Sequence, residues 1–238
     1  MKIIACGDIH GRFGDLNTLI NNKKPDILIQ LGDNAYYFSP EEIYGFEKIK
    51  PGDCKIYLIP GNHENWDQIE KYVGRRGPDP VEIEPNIFYC PIGSTLEING
   101  KRIMFIGGAD SIDKQNRLIG VSWWEQEYLN SHDMNYCLQT PHKIDIICSH
   151  TCPFDFRIFE RLNIFDKAKD PSMYALNQIF FKLNPSNWYF GHWHEFIQGE
   201  SFGCRWYGLN CVPDTKWWMN LIINENKEEK EYERISKE

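Results

Sequence analysis

Asp8 and His10 stand two residues apart in CGDIHGR, where an apolar run gives out, and comparable breaks recur along the chain. Asp33 follows ILIQLG, Asn62 and His63 follow KIYLIPG, His150 follows IDIICS, and His192 and His194 follow WYFG. Setting His63 aside, these positions offer two carboxylates, one amide oxygen and four imidazoles. A mixed oxygen and nitrogen set suits divalent transition metals better than calcium, which takes oxygen, or zinc held by thiolates alone. Seven ligands are too many for one small ion. If Asp33 bridges, they divide into two similar shells: Asp8, His10, Asp33 and His194 around one ion, and Asp33, Asn62, His150 and His192 around the other.

The elements that must position these residues are strands, and each residue falls at a strand's carboxyl end. In open α/β sheets that edge is where ligands bind, because loops converge there while helices cover the faces. The N-terminal half alternates KIIAC, LNTLINN, DILIQL, PEEIYGFEKI, KIYLIP and NWDQIEKYV, the rhythm of βαβ units and a largely parallel sheet. TLEINGKRIMFIG then places Asn99-Gly100 between two alternating runs and predicts a two-residue hairpin. WWEQEYLNSHDMN and PSMYALNQIFFKL are predicted helices, the second with Pro171 near its start; IDIICS and NWYFG are predicted buried strands. FIQGESFGCRWYGLN and KWWMNLIIN have strand composition.

A chain of 238 residues with 42% hydrophobic content can bury a substantial core, and no linker or repeat divides it. The expectation is one domain over residues 1–224 followed by a charged tail, 225–238. A net charge of -8 argues against extended nucleic acid and anionic membranes as partners. With no membrane-length apolar run and no apolar centre of a signal peptide at the start, the expected location is the cytoplasm. The eight cysteines are scattered and read as free thiols. CSHTC, with Cys148, His150 and Cys152 on alternating positions, is an alternative zinc-binding segment that lacks a second ligand pair at finger spacing. His132 and His142 read as surface residues.

The segments DIHG, GDN, GNHE, SH and GHWH, in this order from Asp8 to His194, resemble the five motifs of the calcineurin-like metallophosphoesterase superfamily. The resemblance implies an α/β fold, a four-layer αββα sandwich of two mixed β-sheets flanked by helices. It implies two divalent ions per chain, with Mn2+ the leading expectation and Fe, Zn, Ni or Co as alternatives, held by the seven residues assigned above. His63 matches the catalytic histidine. The implied activity is hydrolysis of a phosphate ester by attack of a metal-bridging hydroxide. The expected substrate is a small phosphorylated metabolite, a nucleotide or a nucleic-acid end. A phosphoprotein phosphatase is the alternative, weakened because AYYFSPEE stands where that branch continues with DRG; a non-catalytic scaffold with this fold would show eroded ligands, and none is eroded.

His63 lies outside both shells, where it can protonate a leaving oxygen, with Glu64 as the candidate for its orienting carboxylate. The long polar loop Gly107 to Trp124 is read as a substrate element. In it Arg117 could take a phosphate oxygen and Trp123 or Trp124 could stack on the leaving group. Arg12 is a second candidate phosphate clamp, and Tyr36 and Tyr37 are candidate cleft residues.

Overall fold

A computed structural model of the chain describes residues 1–36, 38, 47–163 and 170–223. Two six-stranded mixed sheets stack face to face with helices outside them. The first sheet has the order β12 (Trp218–Asn220), β1 (Ile3–Cys6), β2 (Ile27–Gln30), β3 (Lys55–Leu58), β5 (Ile87–Tyr89), β4 (Val81–Glu84). The second runs β10 (Ile197–Ser201), β11 (Cys204–Gly208), β9 (Asn187–Phe190), β8 (Ile146–Ser149), β7 (Lys101–Ile106), β6 (Thr95–Ile98). The αββα sandwich expected from the motifs is the fold observed.

Parallel pairing joins β1 to β2 to β3 in one sheet and β7 to β8 to β9 in the other. These central strands are buried on both faces, which explains their unbroken apolar runs. Alternate residues divide between two cores. Ile3, Ala5, Ile29, Tyr57, Phe105, Cys148 and Tyr189 fill the space between the sheets, where the Tyr57 and Phe105 rings stack at 5.9 Å. Ile4, Leu28, Ile56, Ile147 and Trp188 face outward into the core that also holds the apolar sides of α1 (Phe13–Lys23), α4 (Ile158–Arg161) and α5 (Pro171–Leu183).

The β6–β7 hairpin turns on Asn99 and Gly100, both with positive φ (51° and 73°), as its Asn-Gly pair requires. Helix α5 begins with Pro171, as expected, and the structure adds an Asp170 cap before it. The helix predicted over Trp123 to Asn135 begins later: α3 is Ser131–Leu138, and the segment before it is extended or a single 3-10 turn. Asn130 caps α3 in a reciprocal capping box with Asp133, and that cap sets the boundary. The helical expectation for PEEIYGFEKI falls largely, and the charged tail wholly, outside the described residues.

Asp133 also anchors the joint between α2 (Trp66–Tyr72) and β4. It is fully buried and accepts from Arg75 Nη2 at 2.6 Å and Arg76 Nη1 at 2.8 Å, while the Arg75 guanidinium covers the Trp66 ring. Asp133→Ala would take its main carboxylate partner from the Arg75 guanidinium, 11% exposed, and remove the cap, a loss of about 3 kcal/mol. In a thermal melt, Tm should fall on the order of 10 °C; an unchanged Tm would show the network to be dispensable.

Candidate metal centre

The seven sequence-assigned ligands come from loops that leave the carboxyl ends of five strands, β1, β2 and β3 in one sheet and β8 and β9 in the other. Backbone bonds fasten the two sheet edges together there: Gly108 N donates to Pro60 O at 2.8 Å, and Val212 N donates to Asp8 O at 2.9 Å. The loops turn sharply at the site. His10, Asp33, His192 and His194 all adopt left-handed backbone, with φ of 43°, 52°, 68° and 52°. Each such non-glycine conformation costs on the order of 1–3 kcal/mol and persists where surrounding contacts over-determine it.

Asp8 Oδ2 lies 3.0 Å from His194 Nε2 and 4.0 Å from His10 Nε2, and the two imidazole nitrogens are 3.2 Å apart. A second group joins Asp8, Asp33 and His150, all buried. Here His150 Nε2 lies 3.4 Å from Asp33 Oδ1 and 2.9 Å from Asn62 Oδ1. His192 enters this group's surroundings with its ring 4.9 Å from that of His150, while its N–H donates to Asp8 Oδ1 at 2.9 Å. Asp8, Asp33, Asn62 and His150 thus form a buried floor; His10, His63 and His194 form an open rim.

Glycines permit this crowding. A Cβ on Gly191 would overlap Asp8 Oδ1, and one on Gly61 would overlap Asp33 Oδ1 and its backbone nitrogen. Gly191→Ala should therefore displace Asp8 and empty the centre of metal while the far-UV circular dichroism spectrum is kept. An alanine variant with wild-type metal content would contradict that packing.

The electrostatics fit divalent cations. Burial acts to raise the Asp8 pKa, but the hydrogen bond from His194, the charge of His150 and the His192 N–H outweigh it and hold the carboxyl below its usual range. Asp33 is pushed well above the usual range, by burial and then by Asp8. Two buried carboxylates beside each other call for a compensating cation. The nitrogen donors agree. His150 Nδ1 faces the Leu31 carbonyl at 2.8 Å and must donate to it, so in the neutral ring the lone pair on Nε2 faces the Asn62 and Asp33 oxygens. Acceptors facing one another across about 3 Å are the arrangement a metal ion resolves.

Glu64 does not orient His63. Its buried carboxylate accepts from Asn34 N at 2.6 Å, Ala35 N at 3.1 Å and Gly61 N, and so ties the GDN loop to the GNHE loop. Burial, then Asp33, raises it to about 8. The His63 ring has Asp33 Oδ2 at 3.8 Å from Nε2 and Arg117 Nη2 at 2.9–3.0 Å from its nitrogens. Burial and then the Arg117 charge hold His63 down at about 4.

Of the proposed substrate contacts, Arg117 alone reaches the centre, steadied by Asp113 at 2.8 Å. Trp124 is a core residue, with its indole donating to Asp67 at 2.9 Å. Trp123 is half-buried with its indole nitrogen turned toward Glu127, outside hydrogen-bond geometry. Arg12 pairs with Asp15 at 2.8 Å on the first turn of α1. Tyr36 donates to Glu84 at 2.6 Å, and Tyr37 lies outside the described residues. The CSHTC zinc reading is also overturned: Cys148 and Cys152 are buried in different cores, and among the described residues no cysteine joins a ligand group. His132 and His142 are exposed, as expected.

Ser111 and Glu127 were not anticipated. Asn62 Nδ2 donates to Ser111 Oγ at 2.8 Å, and Ser111 N donates to Glu127 Oε1 at 3.1 Å. No motif spacing marks them; the one available signal was an acid in an apolar-flanked segment, WWEQEYL.

Among known proteins, a family model described as calcineurin-like phosphoesterase matches residues 1–196. No curated protein matches the sequence. A similar solved structure is the phosphopantetheinyl hydrolase of Mycobacterium tuberculosis, with 14% identity, TM-score 0.51, and coverage of 94% of this chain and 96% of that one. Another is the TT1561 protein of Thermus thermophilus, with 12% identity, TM-score 0.50, and coverage of 88% and 89%. At these identities the structural likeness speaks to the fold. Among the described residues, no helix is long and apolar enough to cross a membrane.

Proposed function

Because the chain belongs to the calcineurin-like phosphoesterase family and is a metal-dependent phosphoesterase, we propose that it hydrolyses a small phosphorylated metabolite, a nucleotide or a nucleic-acid end, with manganese as the working metal. The observation that carries the reading is the buried Asp8–Asp33 pair, ringed by imidazoles and open to solvent on the His10, His63 and His194 side. Asp8, His10, Asp33 and His194 would hold one ion, and Asp33, Asn62, His150 and His192 the other. Bound there, the pair supplies Lewis-acid charge for phosphoryl oxygens and lowers the pKa of water from ~16 toward ~7.

The chain's own side chains do the rest. Arg117 moves from His63 to a phosphoryl oxygen, a charge-assisted contact. His63 then stands free to give its proton to the departing oxygen. The same loop exposes Ile112, Leu118, Ile119 and Val121, each 67% or more accessible, around Arg117. That rim favours a small ester whose alcohol presents apolar or planar surface.

Arg117→Ala should raise KM about 10–100-fold with metal content unchanged, the effect of losing a charged hydrogen bond of about 1.5–3 kcal/mol. The sign of a second effect follows from His63: removing the adjacent positive charge raises its pKa, so the limb of the pH–rate profile that reports its deprotonation moves to higher pH. An unmoved limb and an unchanged KM would make the arginine structural.

The substrate reading is tested by assaying Mn2+-reconstituted protein on a phosphomonoester, a phosphodiester and a phosphopeptide. Turnover of one of the small esters is expected. Preference for the phosphopeptide would favour a phosphoprotein phosphatase, and no turnover of any ester would overturn the assignment.

A further inference from the structure

The buried pair Ser111 and Glu127 lies outside the ligand set and has no role in the chemistry described above. Ser111 is 1% exposed and Glu127 0%, on opposite arms of the loop that follows β7. Glu127 is built into place: its carbonyl accepts from Ala109 N at 2.8 Å, and a Cβ on Gly108 would collide with that same carbonyl. Its carboxylate takes the Ser111 N–H at 3.1 Å and lies toward the Ser111 hydroxyl, outside hydrogen-bond geometry, with Oε2 unpartnered. Ser111 Oγ in turn takes the Asn62 Nδ2–H at 2.8 Å, which leaves Asn62 Oδ1 against His150 Nε2 at 2.9 Å.

An asparagine side chain is nearly symmetric in shape, and turning it over would put its NH2 group where an oxygen ligand is needed. Ser111 alone could not choose, because a hydroxyl both donates and accepts. Burial raises Glu127 to about 7; where it is ionised it can only accept, so a Ser111 hydroxyl proton turned toward it leaves the Oγ lone pairs to hold the amide N–H of Asn62. We propose that Ser111 and Glu127 are positioning residues that lock the Asn62 carboxamide with its oxygen toward the ion shared with Asp33, His150 and His192. The loop that carries Arg117 therefore has one end built into the metal centre. This rests on the two-ion reading of the site.

Outer partners of metal ligands typically contribute 10–100-fold in metal affinity. The test is Mn2+ titration of metal-stripped full-length protein by calorimetry, with Mn2+ electron paramagnetic resonance at each step, for wild type, Ser111→Ala, Ser111→Cys and Ser111→Thr. Wild type is expected to bind two ions. Ser111→Ala and the near-isosteric Ser111→Cys should bind one of the two about 10–100-fold more weakly, with uncoupled Mn2+ signals persisting at one equivalent excess. Ser111→Thr, which keeps the hydroxyl, should restore the second ion. Two ions bound with wild-type affinity in Ser111→Ala or Ser111→Cys would overturn the positioning role while leaving the dinuclear centre intact. A wild type that binds fewer than two ions would instead overturn the two-ion reading and the proposal with it.

Discussion

Asp33→Asn is expected to lower kcat/KM by about 10³-fold or more, since in the proposed centre this carboxylate would serve both ions and carry several kcal/mol of the Lewis-acid contribution. The same substitution should leave the metal-free protein at least as stable as wild type at neutral pH. Asp33 is 2% exposed, and burial and Asp8 raise its pKa well above the usual range. For such a group the unfolded chain releases its proton near ~3.9, earlier than the folded chain does. Its contribution to stability is therefore full below that value and is lost as pH rises through the folded pKa. Asparagine carries no charge and is spared the loss. Thermal melts from pH 5 to 8, with and without Mn2+, should show the metal-free variant losing less stability with rising pH than wild type, and gaining less from metal. A metal-free variant that is markedly less stable than wild type at pH 7, or one that keeps full activity, would contradict this account of Asp33.

His63→Ala should cost about 10²–10⁴-fold on alkyl phosphates, the range of general acid–base catalysis, and far less on nitrophenyl phosphate, whose leaving oxygen needs no proton. The imidazole lies against Arg117 at 2.9–3.0 Å, and burial and that charge keep it neutral at pH 7 in the free protein. A phosphate that draws Arg117 away brings negative charge to the same spot, and both changes favour the protonated ring. A plot of log kcat/KM against leaving-group pKa should therefore be steeper for His63→Ala than for wild type, with equal metal content. Parallel lines would mean that His63 acts on the phosphoryl group or the fold.

The parts of this site that were legible in the sequence are those tied to a strand's end. Asp8, Asp33, Asn62, His150 and His192 each follow an apolar run closely, so the period of the strands and the topology of parallel sheets bring them to one edge. The Asn99-Gly100 hairpin was legible because its turn has a local chemical requirement. What was not legible depends on partners far along the chain. Asp133 looks like an ordinary helix residue until Arg75 and Arg76, 58 and 57 positions away, close on it. Ser111 and Glu127 are joined to Asn62 across 49 and then 16 positions, with no periodic or motif signal. Trp124 shows the opposite failure: a tryptophan beside a polar loop suggested a stacking platform, yet Asp67 gives its indole N–H a partner inside the core. Cys148 and Cys152 share an extended segment with His150, but the chain leaves β8 between them and sends each thiol into a different core.

The central claim is that Asp33 stands between two ions. Anomalous diffraction from Mn2+-loaded crystals, recorded at the manganese edge, tests it most directly. Two peaks about 3.5–4 Å apart are expected, one bordered by Asp8, His10 and His194, the other by Asn62, His150 and His192, with the Asp33 carboxylate touching both. A single peak in the active protein, or two peaks that do not share Asp33, would contradict it.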